Sequence, residues 1–294
     1  MTETIARPGE TERLAAGTSM GPVTLRVGAL DAMIAYYRDA VTLELIAHDG
    51  PVAVLGRAAE PLIVLEHSPE LRSAGPRQAG LFHTAILFDS QAALATAVDS
   101  VARHAPGTFT GSADHLVSQA FYFSDPEGNG VELYWDRDRS QWSWVHGQVE
   151  MDTLYLDPRA FLAEHLEDSA VVGGAGIGHV HLSVGDIATA KEFYTRQLGF
   201  EITFELGDSA LFVSAGGYHH HMAMNTWRSA GAGRRRLALG LGRVEIEVPA
   251  ADDVGALAER LAHYGIETRD DGHALSFDDP WANLIRVAAV PVHR

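Results

Sequence analysis

The sequence predicts an α+β protein built from four βαβββ units. A strand-then-helix opening recurs four times along 294 residues. Two of the copies close through the same Asp-Pro-x-Gly/Ala-Asn turn, and a length of this order with 46% hydrophobic residues can bury a full core.

Each element follows from a local pattern. The first copy opens with Gly21-Pro22-Val23-Thr24-Leu25-Arg26-Val27, then Asp31 and the helix residues Ile34, Tyr36, Tyr37 and Val41, with strands at 53–55 and 62–65. The second opens with Phe82-His83-Thr84-Ala85-Ile86-Leu87-Phe88 and continues as a helix over 91–105 and a strand over 120–123. It ends in Asp125-Pro126-Glu127-Gly128-Asn129 before Gly130-Val131-Glu132-Leu133. In that turn Pro fixes φ, and Gly or Asn tolerates φ > 0. The third is the clearest: Gly178-His179-Val180-His181-Leu182-Ser183-Val184 alternates, Asp186 is positioned as an N-cap, and Ile187, Ala190, Phe193, Tyr194 and Leu198 have helical period. Gly199 stops that helix, and strands are expected at 200–204, 210–214 and 221–225. The fourth runs from Gly242-Arg243-Val244-Glu245-Ile246-Glu247-Val248 through a helix over 252–264, a strand over 274–277, and the turn Asp279-Pro280-Trp281-Ala282-Asn283. The expected organisation is a flexible polar 1–18, two units in 19–137, a connector over 138–176 with a short helix near 158–166, and two units in 177–294.

Composition excludes several classes of function. A net charge of −17 argues against a phosphate-backbone partner, and the run Arg234, Arg235, Arg236 reads as a solvated loop. Zero Cys rules out disulfides, thiolate zinc sites and a cysteine nucleophile, and fits a cytoplasmic location. With no N-terminal apolar h-region and no run of 18 apolar residues, neither secretion nor membrane spanning is expected. The informative excess is 15 His, several of them in apolar, strand-like segments. His83 and His179 open the two middle copies and Glu132 closes the second. Two imidazoles and one carboxylate are the facial ligand set of non-haem Fe(II) oxygenases, which leaves the opposite face of the metal open.

The strand–helix openings, the 125–132 ending and Gly216-Gly217-Tyr218-His219-His220-His221-Met222-Ala223 together resemble the vicinal oxygen chelate superfamily. Within it they resemble the two-domain extradiol ring-cleavage dioxygenases, the catechol 2,3-dioxygenase group with its glyoxalase-like members. The resemblance covers about 20–290. It implies modules paired into two half-barrel metal cups, each taking a His from both first strands and a Glu from one closing strand. In this chain the first-strand positions are Pro22, His83, His179 and Arg243, and the closing positions Glu132 and Arg286. Joining copies one and two leaves the set one ligand short, and joining three and four puts two arginines at the metal. Only two-with-three collects His83, Glu132 and His179, and it leaves Pro22, Arg243 and Arg286 in a second, dead cup.

The resemblance further implies Fe(II), with Mn(II) accepted by the same ligands, and a small aromatic diol cleaved with O₂. It gives His220 as acid/base, Tyr122 as a hydrogen-bond partner of the substrate hydroxyl, and His115 behind it. A regular strand through 219–221 would turn His219 and His221 away from His220. His181 shares a face with His179 and is the alternative ligand. The competing function is a glyoxalase-like isomerase or lyase, or a metal-dependent resistance protein without O₂ chemistry. These favour a further carboxylate or Gln ligand that is not found here, and a metal-free bleomycin-resistance type would not keep three ligands. A homo-oligomer is expected by analogy.

Overall fold

All four repeats fold as βαβββ units in a computed structural model that describes residues 13–75, 77–167 and 173–290. A short β1 (Ser19–Met20) precedes the first unit: β2 (Val23–Val27), α1 (Leu30–Ala35), β3 (Glu44–Asp49), β4 (Val52–Arg57) and β5 (Glu60–His67). The second comprises β6 (Gly80–Phe88), α2 (Gln91–His104), β7 (Phe109–Asp114), β8 (Ser118–Ser124) and β9 (Gly130–Asp136). Between the halves lie the hairpin β10 (Trp144–Val145) and β11 (Gln148–Val149), then β12 (Leu154–Tyr155) and α3 (Pro158–His165). The third unit is β13 (Ala175–Ser183), α4 (Ile187–Lys191), β14 (Glu201–Leu206), β15 (Ala210–Ser214) and β16 (Met222–Asn225). The fourth is β17 (Gly240–Val248), α5 (Ala251–His263), β18 (Arg269–Asp270), β19 (Ala274–Asp278) and β20 (Leu284–Ala289). Among the described residues no helix is long and apolar enough to cross a membrane.

Two curled sheets result, and each takes one unit from each half of the chain. The central sheet runs β12-β7-β8-β9-β6-β13-β16-β15-β14, and the outer sheet β18-β19-β20-β17-β2-β5-β4-β3. Units two and three therefore share one sheet and units one and four the other, the pairing that the ligand pattern demands. In each unit the first strand pairs in parallel with the unit's own last strand: β6 with β9, β13 with β16, β17 with β20, β2 with β5. Its free edge then meets another first strand, antiparallel, as β6 with β13 and β17 with β2. Alternation puts Ile86, Val131, Leu133, Val180 and Leu182 in the core beneath the helices.

Units adjacent in sequence are instead tied across the two sheets. Asp125 accepts from the Glu127 and Asn129 backbone N–H groups and from Asn129 Nδ2 at 2.8–2.9 Å, closing the turn before β9. Its remaining capacity takes the Tyr37 hydroxyl, donated from unit one at 3.1 Å. Asp279 repeats this with Trp281, Asn283 and the Tyr194 hydroxyl of unit three, the last at 3.0 Å. Both tyrosines lie on one-turn π-helices, Tyr36–Ala40 and Glu192–Gln197, that extend α1 and α4. The regular 3.6-residue period expected there gives way to a wider turn, which buries consecutive aromatics such as Tyr36 and Tyr37 together.

Three local expectations change. Asp186 caps α4 by accepting from Thr189 N at 2.7 Å, but Asp31 lies inside the first turn of α1, and the helix has no side-chain cap of its own. Glu127 of unit two does the work, accepting from Gly28 N and Ala29 N at 2.8 and 2.7 Å. Of the N-terminal segment expected to be flexible, residues 1–12 fall outside the described residues, whereas Leu14 is buried and donates its N–H to Gly199 O at 2.9 Å. Arg235 is likewise not a solvated loop residue: it donates to Asn283 Oδ1 at 2.9 Å and to the Leu241 carbonyl.

The two matching turns differ at two positions, and at the second of them Gly128 has φ +87° and Ala282 has φ +64°. A left-handed Ala costs about 1 kcal/mol. Ala282→Gly should therefore raise the denaturant midpoint at unchanged m, by about 0.5–1 kcal/mol of stability; a loss of stability would mean that the Ala282 methyl is held by packing.

Candidate metal centre

The β6–β13 junction at the middle of the central sheet builds the site. His83 from β6, Glu132 from β9 and His179 from β13 converge with exposures of 6%, 2% and 2%. His83 Nε2 lies 2.9 Å and His179 Nε2 3.2 Å from Glu132 Oε2, and the two Nε2 atoms are 3.3 Å apart. Donors at about 2.1 Å from a first-row divalent ion and at right angles to each other stand about 3.0 Å apart. The observed triangle fits that requirement, and these three residues are the group able to hold a cation among the described residues.

Two glycines make the approach possible. A Cβ on Gly130 would lie 2.1 Å from the Phe82 carbonyl oxygen, against the strand that carries His83. On Gly178 it would lie 1.5 Å from the Tyr134 hydroxyl, so the hydroxyl occupies the space a side chain would fill. The β6–β13 register slips at this point, between Ile177 and His179. Bulges of this kind re-aim a side chain next to functional sites.

The electrostatics call for a cation. Burial pushes His179 down to about 4, outweighing the pull of Glu132, so its imidazole is neutral and free to ligate near neutral pH. Burial alone would raise Glu132; the His179 and His83 charges and hydrogen bonds hold it well below the ordinary carboxylate range. These two directions compete for one positive charge. The His179 ring is sealed from solvent, and its Nδ1 has no partner among the described residues. An ionised Glu132 beside a neutral His179 leaves the cup short of positive charge, which a divalent ion would supply.

The other expected residues are distributed around a cavity of about 870 Å³. His181 lies opposite His83 in register, but its Nε2 meets Asn225 Nδ2 at 3.0 Å, which takes it out of the ligand triangle. Tyr122, paired with Glu132 across β8–β9, has its hydroxyl 2.7 Å from His115 Nε2, and His115 Nδ1 is 2.8 Å from the Asp152 carbonyl. A carbonyl only accepts, so Nδ1 carries the hydrogen; in neutral His115, Nε2 then accepts from Tyr122. His220 packs its ring 4.1 Å from that of His179 and lines the same cavity. Sequence alternation fails here. Residues 215–221 form an irregular loop before β16, with φ +62° and +69° at Gly216 and Gly217, and His219, His220 and His221 are all buried.

Several contributors were not singled out from the sequence. Trp227 is exposed and lines the cavity, with its ring 5.3 Å from Phe82 and 5.5 Å from His181. Phe204 and Phe212 form part of the wall. Behind His220, Asp136 accepts from His219 Nε2 at 2.8 Å and from the Tyr218 hydroxyl at 2.7 Å, and the Tyr218 and Tyr134 hydroxyls are 2.8 Å apart. The only hint in the sequence was the polar Tyr134-Trp135-Asp136 continuation of an otherwise buried strand.

Fold and site together define a protein of paired βαβββ modules with a triangle able to hold a cation, and the chain belongs to the glyoxalase/bleomycin resistance protein/dioxygenase superfamily, whose profile matches residues 19–133 and 176–287. It is 33% identical over 270 residues to catechol-2,3-dioxygenase of Bacillus subtilis, covering 90% of this chain and 94% of that one. It is also 29% identical over 167 residues to 3-methylcatechol 2,3-dioxygenase of Pseudomonas putida, across 52% of this chain and 49% of the relative. Among solved structures, glyoxalase I of Zea mays shares the fold with a TM-score of 0.56 at 16% identity, covering 93% of this chain and 92% of that chain.

Two outcomes follow from this geometry. Glu132→Gln and His179→Ala should each lower bound divalent metal at least tenfold by titration calorimetry, whereas His181→Ala should keep near-native stoichiometry; loss of metal in the His181 variant alone would move the ligand set. The second concerns pH. His179 and His221 are pushed by burial to about 4 and about 3, so between pH 7.5 and 5.5 the unfolded chain takes up protons that the native state does not. Stability of the metal-free protein should be full above about 6.5 and fall below it, by up to about 1.4 kcal/mol per pH unit for each such histidine. A flat denaturant midpoint over that range would contradict the burial argument.

Proposed function

We propose that the protein is an extradiol dioxygenase, which opens a catecholic ring beside its two hydroxyls at Fe(II) held by His83, Glu132 and His179. The observation that carries this is the buried two-imidazole, one-carboxylate triangle on the wall of a cavity that also presents His220 and the Tyr122–His115 pair. The likeness to catechol-2,3-dioxygenase over most of both chains supports it. Iron(II), when bound, supplies a centre that can chelate two vicinal oxygens together with O₂ and acidify a phenol.

The chain's own residues orient the diol, hold its protons and exclude water. Tyr122 gives its hydrogen to His115 and so turns oxygen lone pairs toward the cavity, where they accept from a substrate hydroxyl. His220, on the His179 side, is placed to take a hydroxyl proton and return it. The aromatic wall of Phe82, Phe204 and Phe212 keeps the ring dry. A single catechol ring underfills about 870 Å³, so a ring with an apolar substituent is the preferred substrate. Among the described residues no further His or carboxylate joins the triangle, which disfavours the glyoxalase-type alternative.

After anaerobic Fe(II) reconstitution, catechol or an alkylcatechol should drive stoichiometric O₂ uptake and a yellow ring-opened product. Turnover of a glutathione hemithioacetal without O₂ uptake would refute the proposal in favour of an isomerase. His220→Ala should lower kcat by about 10²–10⁴ with little change in KM, as loss of a general acid/base does.

A further inference from the structure

A chain of hydrogen bonds runs from the end of β9 to the cavity wall. Asp136, at the end of β9 beyond Glu132, has its side chain 17% exposed and its Oδ1 2.8 Å from His219 Nε2. His219 Nδ1 lies 2.8 Å from His220 Nδ1. The other carboxylate oxygen is taken by the Tyr218 hydroxyl at 2.7 Å, and Tyr218 adjoins Tyr134, whose hydroxyl fills the space over Gly178. His219 is sealed in, its side chain 1% exposed, beside the Trp142 ring at 5.3 Å. None of these groups belongs to the ligand triangle.

For an ionised Asp136 and a neutral His219, donor and acceptor rules assign each hydrogen. An ionised carboxylate only accepts, so His219 carries its hydrogen on Nε2. With that ring neutral, Nδ1 is an acceptor, and the contact to His220 is a hydrogen bond only if His220 donates from its own Nδ1. Its Nε2, which has no protein partner among the described residues, is left bare at the cavity wall. We propose that Asp136 and His219 are positioning residues that hold His220 in the Nδ1–H tautomer with its Nε2 lone pair toward the substrate. An imidazole left alone favours the opposite tautomer, with the hydrogen on Nε2 and nothing to accept a proton from the cavity. The same logic orients histidines through a carboxylate elsewhere; here one imidazole is interposed. This rests on the acid/base role proposed for His220, but the tautomer can be observed without turnover.

Long-range ¹⁵N–¹H spectra of the full metal-free chain should show His220 protonated at Nδ1 and His219 at Nε2. Hydrogen on Nε2 of His220 in the wild type would overturn the inference with no variant needed. Asp136→Asn presents an amide whose NH₂ can donate to His219 and reverse the chain, so an Nε2–H form of His220 should appear. In the iron-loaded enzyme, kcat should fall about 10–100-fold at KM within about twofold, and Asp136→Glu should recover part of the loss. An unchanged His220 tautomer in a folded Asp136→Asn variant would also overturn it. If the tautomers behave as expected but His220→Gln keeps full kcat, the positioning stands and the acid/base role of His220 falls.

Discussion

An ionised carboxylate cannot be sealed inside a protein without positive charge beside it, and that constraint organises the central cup. Glu132 sits between two buried imidazoles, of which burial keeps His179 from charging easily, on strands that hold the three donor atoms within 3.3 Å of each other. Desolvating such a group unpaired costs several kcal/mol. The arrangement makes sense as a site that gains its missing charge from a metal.

The outer cup meets the same constraint by other means. Arg286 replaces the closing carboxylate and lies opposite Glu245 in register, as Glu132 lies opposite Ala85 in the central sheet. Glu245 pairs with Arg286 through Oε1 and with Arg243 Nη2 at 3.5 Å through Oε2, so fixed guanidinium groups supply the cation internally. One cup is closed by its own ion pairs, whereas the other brings together three residues that could hold a cation. Duplicated architecture with divergent charge thus separates an ion-paired half from the half that carries the ligand-type triangle, and the Asp125–Tyr37 and Asp279–Tyr194 bonds lock the two together.

Repetition made much of this legible in the sequence. Ligand-type residues at equivalent first-strand positions, set against Pro22, Arg243 and Arg286, fixed both the triangle and the exchange of partners between halves, because a first strand has only one free edge to offer. What escaped notice lay where local pattern and tertiary contact diverge. A regular strand through 219–221 would alternate its side chains, yet two glycines with positive φ bend 215–221 into a loop that buries three successive histidines. The π-turns answer to buried aromatics and a distant Asp, not to helical period. Asp136 and His219 are separated by 83 positions in the chain, and no single-sequence spacing announces such a pair.

The central claim is that a single live cup is assembled across the β6–β13 junction. Anomalous scattering from crystals of the iron-loaded protein tests it most directly. One peak per chain is expected, within ligand distance of His83 Nε2, His179 Nε2 and Glu132, with none between Arg243 and Arg286. A peak in the outer cup, or one centred on His181 or His115, would contradict the account.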